Sequence, residues 1–83
     1  MKIYLLSQDD NTGYDTYDSC VVCAVDEADA KSINPDGSIK PFTKAQSYFK
    51  TWANSPESVH CEEIGIANDS YAKGVICASF NAG

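Results

Sequence analysis

Arginine is missing from this chain, and other equipment for chemistry is scarce. All six basic residues are lysines. That removes the planar fork most used to grip phosphates and base edges. Twelve acidic residues outnumber them and give a formal net charge of −6. Direct nucleic-acid binding needs a basic footprint, so none is expected. There is one histidine. No serine sits in a G-x-S-x-G elbow, and no glycine loop is arranged to cradle a phosphate. No apolar run approaches the ~20 residues of a membrane-spanning helix. The opening Ile3-Tyr4-Leu5-Leu6 is too short for the core of a secretion signal, and no small-residue cleavage site follows it. The expected location is therefore cytoplasmic, where Cys20, Cys23, Cys61 and Cys77 would stay reduced.

What is present suits one small folded domain. At 83 residues the chain buries only about 60–65% of its unfolded surface, so association with further copies would supplement a marginal core. Hydrophobic residues make up 43% of the chain, enough to exclude compositional disorder. Five tyrosines, three phenylalanines and one tryptophan can fill much of a small core.

The apolar pattern predicts four strands. They are placed at 2–8, 20–25, 59–67 and 74–80. The second, Cys20-Val21-Val22-Cys23-Ala24-Val25, is apolar on both faces and so belongs at the centre of a sheet. Asp26 followed by Glu27 and Asp29 is a helix start, and Asn34-Pro35-Asp36-Gly37 is a stop, which predicts a short helix over 27–33. Ala45, Tyr48, Phe49 and Trp52 recur at helical spacing and predict a second helix over 44–53. On the third strand, His60, Glu62, Ile64 and Ile66 alternate with Val59, Cys61 and Glu63. The expected fold class is α+β: a four-stranded, mainly antiparallel sheet with one or two short helices on one face.

Three constellations invite chemistry and are better read as structure. Cys20-Val21-Val22-Cys23 has metal-ligand spacing, but on a strand the two sulfurs face opposite sides, which suits buried structural cysteines. Asp9-x-Asn11-x-Gly13-x-Asp15 resembles a calcium loop, but its closing acidic position is Cys20. His60 has no nucleophile motif near it and could pair with Glu62 on its own strand. No catalytic residue, metal ligand or cofactor is expected.

The segment from Asp9 to Asp18 is different. It sets four carboxylates, two tyrosines, an amide and a glycine between two apolar runs. A turn needs one or two such residues. Rings that stack beside oxygens that accept hydrogen bonds suggest a recognition surface; the alternative is that one tyrosine finishes the core while the acids solubilise an edge. If residues 14–19 are extended, Tyr14, Thr16 and Asp18 face one way and Asp15, Tyr17 and Ser19 the other. The polar tail Ser79-Phe80-Asn81 is a second candidate, and strand order decides whether it meets the first. The expected binding residues are Asp9, Asp10, Asn11, Tyr14, Asp15, Thr16, Tyr17, Asp18, Ser79 and Asn81.

These two segments resemble a group of short proteins common in phages and prophages. The shared pattern is Lys2-Ile3-Tyr4, then Gly13-Tyr14-Asp15-Thr16-Tyr17-Asp18-Ser19 before Val21-Val22, Asp29-Ala30 before Pro35, and Gly74-Val75-Ile76-Cys77-Ala78-Ser79-Phe80-Asn81-Ala82-Gly83. The resemblance covers both ends and leaves residues 38–58 as a variable middle. It carries no catalytic residue. It implies a phage accessory protein in a bacterial host, of the kind that disables a defence by binding. The acidic balance points first to a host defence protein with a basic surface, met by Asp9, Asp10, Asp15 and Asp18 with Tyr14 and Tyr17 as anchors. The alternative is an oligomeric sponge that holds a nucleotide-type signal between Tyr14 or Tyr17 and the tail.

Overall fold

In a computed structural model, residues 1–43 and 51–82 are described. Their strands form one sheet: β1 (Lys2–Ser7), β2 (Thr16–Ala24), β3 (His60–Ile66) and β4 (Gly74–Asn81). The order is β3-β1-β2-β4, and every neighbouring pair is antiparallel. A five-residue helix, α1 (Glu27–Lys31), and a 3-10 turn at Pro56–Ser58 complete the described elements. Among the described residues the fold is thus a mostly β, four-stranded antiparallel open sheet with one helix, broadly an α+β domain.

The apolar strands take the centre, as the water-avoiding runs require. Tyr4 and Leu6 on β1 stand beside Cys20, Val22 and Ala24 on β2. Together with Ala30, Ile33, Phe42, Trp52, Ala53 and Val59 they make the core on one face of the sheet. Leu6 and Val22 are completely buried. The opposite face carries Ile3, Leu5 and Val21, half-buried, and the exposed Cys77, with no described element over them. Cys20 and Cys23 are both buried but on opposite faces: Cys20 joins the core, while the Cys23 Sγ lies 3.6 Å from the Met1 Sδ. No described helix is long and apolar enough to cross a membrane.

α1 begins where the acids predicted. Asp26 is the N-cap, and its carboxylate accepts the Asp29 N–H at 2.8 Å. The helix ends at Lys31, two residues before the predicted Ile33, because Ser32 closes it with an N–H bond to the Asp29 carbonyl. Most of the helix predicted over 44–53 lies outside the described residues. Its last residues, Thr51, Trp52 and Ala53, are not helical. Their carbonyls serve other parts of the chain: Thr51 O accepts the Tyr17 N–H and Trp52 O accepts the Asn11 side-chain amide.

Three bulges overturn the simple alternation, one of them on β4, where the ladder steps from Val21–Cys77 to Val22–Val75 and leaves Ile76 as the extra residue. Opposite β1, the ladder steps from Ile3–Gly65 to Tyr4–Glu63, leaving Ile64 as the extra residue. His60 and Glu62 therefore share a face with Gly65 rather than with Ile64 and Ile66. Opposite β4, the ladder steps from Tyr17–Phe80 to Ser19–Ser79, leaving Asp18 as the extra residue. That bulge turns Tyr17 toward the core side, where it packs against the buried cluster.

Candidate functional site

β2 starts at Thr16, well inside the segment expected to be a loop. Its partner β4 runs the opposite way and ends at Asn81, so the tail meets the tyrosine segment at one end of the sheet. Thr16 pairs with Asn81, Tyr17 with Phe80 and Ser19 with Ser79. The Asp15 N–H donates to the Asn81 carbonyl at 2.5 Å. The Asn81 side-chain amide donates to the Gly13 carbonyl at 3.0 Å, and the Thr16 hydroxyl donates to the same oxygen at 2.6 Å. The two segments therefore form one surface.

The turn is tight enough to need an uncommon backbone. Asp15 has φ of 60°, the left-handed region that non-glycine residues rarely occupy. Asp tolerates it better than most, and such strain is held only where surrounding bonds determine it. The extended conformation considered for residues 14–19 is thus corrected at both ends, by the turn at Asp15 and by the bulge at Asp18.

The expected residues divide into two groups. Asp9, Asp10, Asn11 and Thr16 are tied into their own chain. Asp9 lies 3.2 Å from the His60 Nε2, so His60 on the edge strand pairs with Asp9 rather than Glu62. The Asp10 carboxylate accepts the Asn54 N–H at 2.9 Å. Asn11 donates to Trp52 O at 2.6 Å and to the Asn54 side chain at 3.2 Å. Thr16 is buried.

Asp9 and Asp10 stay exposed despite these bonds, and the second group faces solvent as well. Tyr14 is 77% exposed, and Asp15, Asp18 and Ser79 are also exposed. Asp15 and Asp18 make no ion pair among the described residues. The Tyr17 and Phe80 rings meet with centroids 4.8 Å apart and planes tilted by 58°, within the separation at which aromatic pairs attract.

Two contributors were not foreseen. Gln8 is buried and clamps the whole loop: its amide nitrogen donates to Asn11 O at 2.6 Å and to Tyr17 O at 2.9 Å, and its oxygen accepts the Asn11 N–H at 2.9 Å. The signal was present, since Tyr4, Leu6 and Gln8 continue one inward alternation. Phe80 is the other; it lies in the tail, where the polar neighbours carry the sequence signal.

Chemically, this end offers aromatic rings, two exposed carboxylates, a hydroxyl and a side-chain amide. Such a set can bind: rings stack, and the oxygens accept hydrogen bonds from hydroxyls, amines or cationic side chains. Among the described residues, no group of three or more His, Cys, Asp and Glu side chains is placed to hold a metal ion. Comparison of the chain with protein-family models, with curated proteins and with solved structures gives no match.

Proposed function

We propose that this chain is a non-enzymatic phage accessory protein that blunts a bacterial defence by capturing its signal. The captured molecule is a nucleotide-type signal, held at the composite end formed by residues 13–18 and 79–81. The observation that carries this reading is the junction of Gly13, Asp15 and Thr16 with Asn81, which brings the exposed Tyr14, Asp15 and Asp18 to the same end of the sheet as the Tyr17–Phe80 ring pair, whose Tyr17 also packs on the core. Stacking rings beside hydrogen-bond acceptors suit a nucleoside, whose base has two flat faces and whose ribose donates hydroxyl protons.

One protomer leaves this surface open. Enclosure would come from a second copy, and β4 supports that. It is an edge strand of eight residues without a charge or a proline, the kind that accepts another strand. The opposite edge, β3, carries His60, Glu62 and Glu63, which discourage such pairing.

The test is native mass spectrometry of the purified protein with cyclic and ADP-ribose-type nucleotides. An oligomer with a stoichiometric nucleotide adduct, lost in Tyr14→Ala, is the expected result. A protein that binds none of them under titration overturns the reading.

The second reading is an inhibitor of a host defence protein. It is favoured by the exposed carboxylates of Asp15 and Asp18 in a chain of net charge −6, which would steer a basic surface toward Tyr14. It expects charge reversal at Asp15 and Asp18 to weaken capture of a host protein and to flatten its salt dependence.

A further inference from the structure

The chain has twice as many acids as bases, yet one cavity is lined without a single acid. It measures about 270 Å³ and lies between the loop after α1 and the start of β4. Two of the six lysines, Lys40 and Lys73, line it. Ser32 and Ser38 bring hydroxyls, and Ile33, Ile39 and Pro41 form an apolar wall.

The cavity is built by the backbone on both sides. Gly37 has φ of 83° and closes a turn by donating its N–H to Asn34 O at 3.1 Å. The Asn34 side chain then donates to Lys40 O at 2.8 Å, and the Phe42 N–H to Ser32 O at 2.7 Å. These bonds fold the loop back and fix where Lys40 leaves it. The Asp36 carboxylate, the nearest acid in the loop sequence, accepts the Ser38 N–H at 2.8 Å. Opposite, Gly74 has φ of 144° and has open space where a side chain would stand.

Lys73 is held by the Asp29 carboxylate, which also accepts the Val25 N–H. Asp29 is not part of the lining. An ammonium has three protons to donate, so this contact orients Lys73 and leaves two for a ligand. Ile39 is completely exposed, an apolar side chain with nothing over it.

We propose that this cavity binds a small phosphorylated molecule. Its phosphoryl oxygens would lie between Lys40 and Lys73, and its apolar body would cover Ile33, Ile39 and Pro41. A phosphoryl group fits better than a carboxylate because it carries close to two charges and three acceptor oxygens, enough for both ammoniums and a serine hydroxyl. The site stands apart from the composite surface. Gly74 pairs with Cys23, and Asn81 pairs with Thr16, at opposite ends of the same two strands. Seven residue steps of strand separate them, roughly 23 Å. The proposal therefore holds or fails independently of the nucleotide reading.

The test is a titration with phenyl phosphate and with inorganic phosphate, followed in amide NMR spectra. Saturable shifts confined to the residues of the loop 32–41 and to Lys73 and Gly74 are expected, with phenyl phosphate the tighter of the two. Lys40→Gln, in an exposed loop, should weaken both ligands about tenfold, the worth of one charged hydrogen bond. Ile39→Ser should weaken phenyl phosphate and leave inorganic phosphate unchanged. Shifts that do not saturate, shifts elsewhere in the chain, or equal affinity in Lys40→Gln overturn the site. Equal affinity for the two ligands overturns the apolar half of it.

Discussion

Asn81 and Gly13 are 68 positions apart in sequence and joined by a 3.0 Å hydrogen bond. That bond, with the Asp15 N–H on the Asn81 carbonyl, fastens the chain's tail to the tip of its tyrosine segment. Asn81→Ala removes the side-chain bond and keeps the backbone one. Because the side-chain bond is exposed, the expected stability loss is only about 0.5–1 kcal/mol. Binding at the composite end should fall further than stability does. Urea denaturation together with nucleotide titration separates the two effects, and equal losses in both would assign Asn81 to the fold alone.

Leu6 is the core's best-buried large side chain, on a central strand and completely out of solvent. Leu6→Ala should cost about 2–5 kcal/mol, through lost burial and the cavity left behind. In so small a domain that is a large part of the total. A shift of the urea midpoint at constant slope is the expected readout.

The cap of α1 gives a smaller, local effect. Asp26→Ala removes the acceptor of the Asp29 N–H and should cost about 1 kcal/mol. Asp26→Ser should recover most of it, since a hydroxyl caps as well. Thermal melts of the two variants check this, and equal melting temperatures would refute the capping role.

Asp29 links stability to acid. Burial pushes its carboxyl up, but hydrogen bonds from Lys73 and the Val25 N–H outweigh burial and hold it below the ordinary value of 3.8. A carboxyl lowered by folding contributes stability that is complete above the unfolded value and is lost as pH falls through the folded one. Stability should therefore decline as pH falls past 3.8. Asp29→Asn should be less stable at neutral pH and show a flatter decline. Urea midpoints measured from neutral to acidic pH check both.

Burial, with the neighbouring Cys77 second, pushes the Cys20 thiol up to about 12, so at pH 8 it is almost wholly protonated. Cys77 is exposed. Alkylation followed by mass spectrometry should label Cys77 first and Cys20 and Cys23 only on unfolding. Early labelling of Cys20 would contradict the packing around it.

The four strands, the Asp26 cap and the central place of β2 were legible because each rests on local chemistry. Apolar runs must leave water, and an acid before a helix finds open N–H groups. The divergence of Cys20 and Cys23 followed from strand geometry alone. The face assignments of Tyr17, Ile64 and Ile66 were not legible. A bulge inserts one residue and reverses parity beyond it, and its position depends on the partner strand. The partnership of His60 with Asp9 was equally hidden, because it joins a loop to an edge strand 51 positions away.

The sequence by itself determined that a small, acidic, four-stranded domain would form, and that residues 9–18 were too rich in rings and carboxylates for a turn. Composition and periodicity act over a few neighbours, so they are readable from one chain. Only the tertiary structure decided which of those residues are tied to distant parts of the chain. It gave Asp9, Asp10 and Asn11 partners in their own chain while leaving Asp9 and Asp10 exposed, left Tyr14, Asp15 and Asp18 in solvent, and brought Asn81 to Gly13. Those outcomes depend on strand order, and strand order is fixed by the burial of the whole sheet rather than by any local segment.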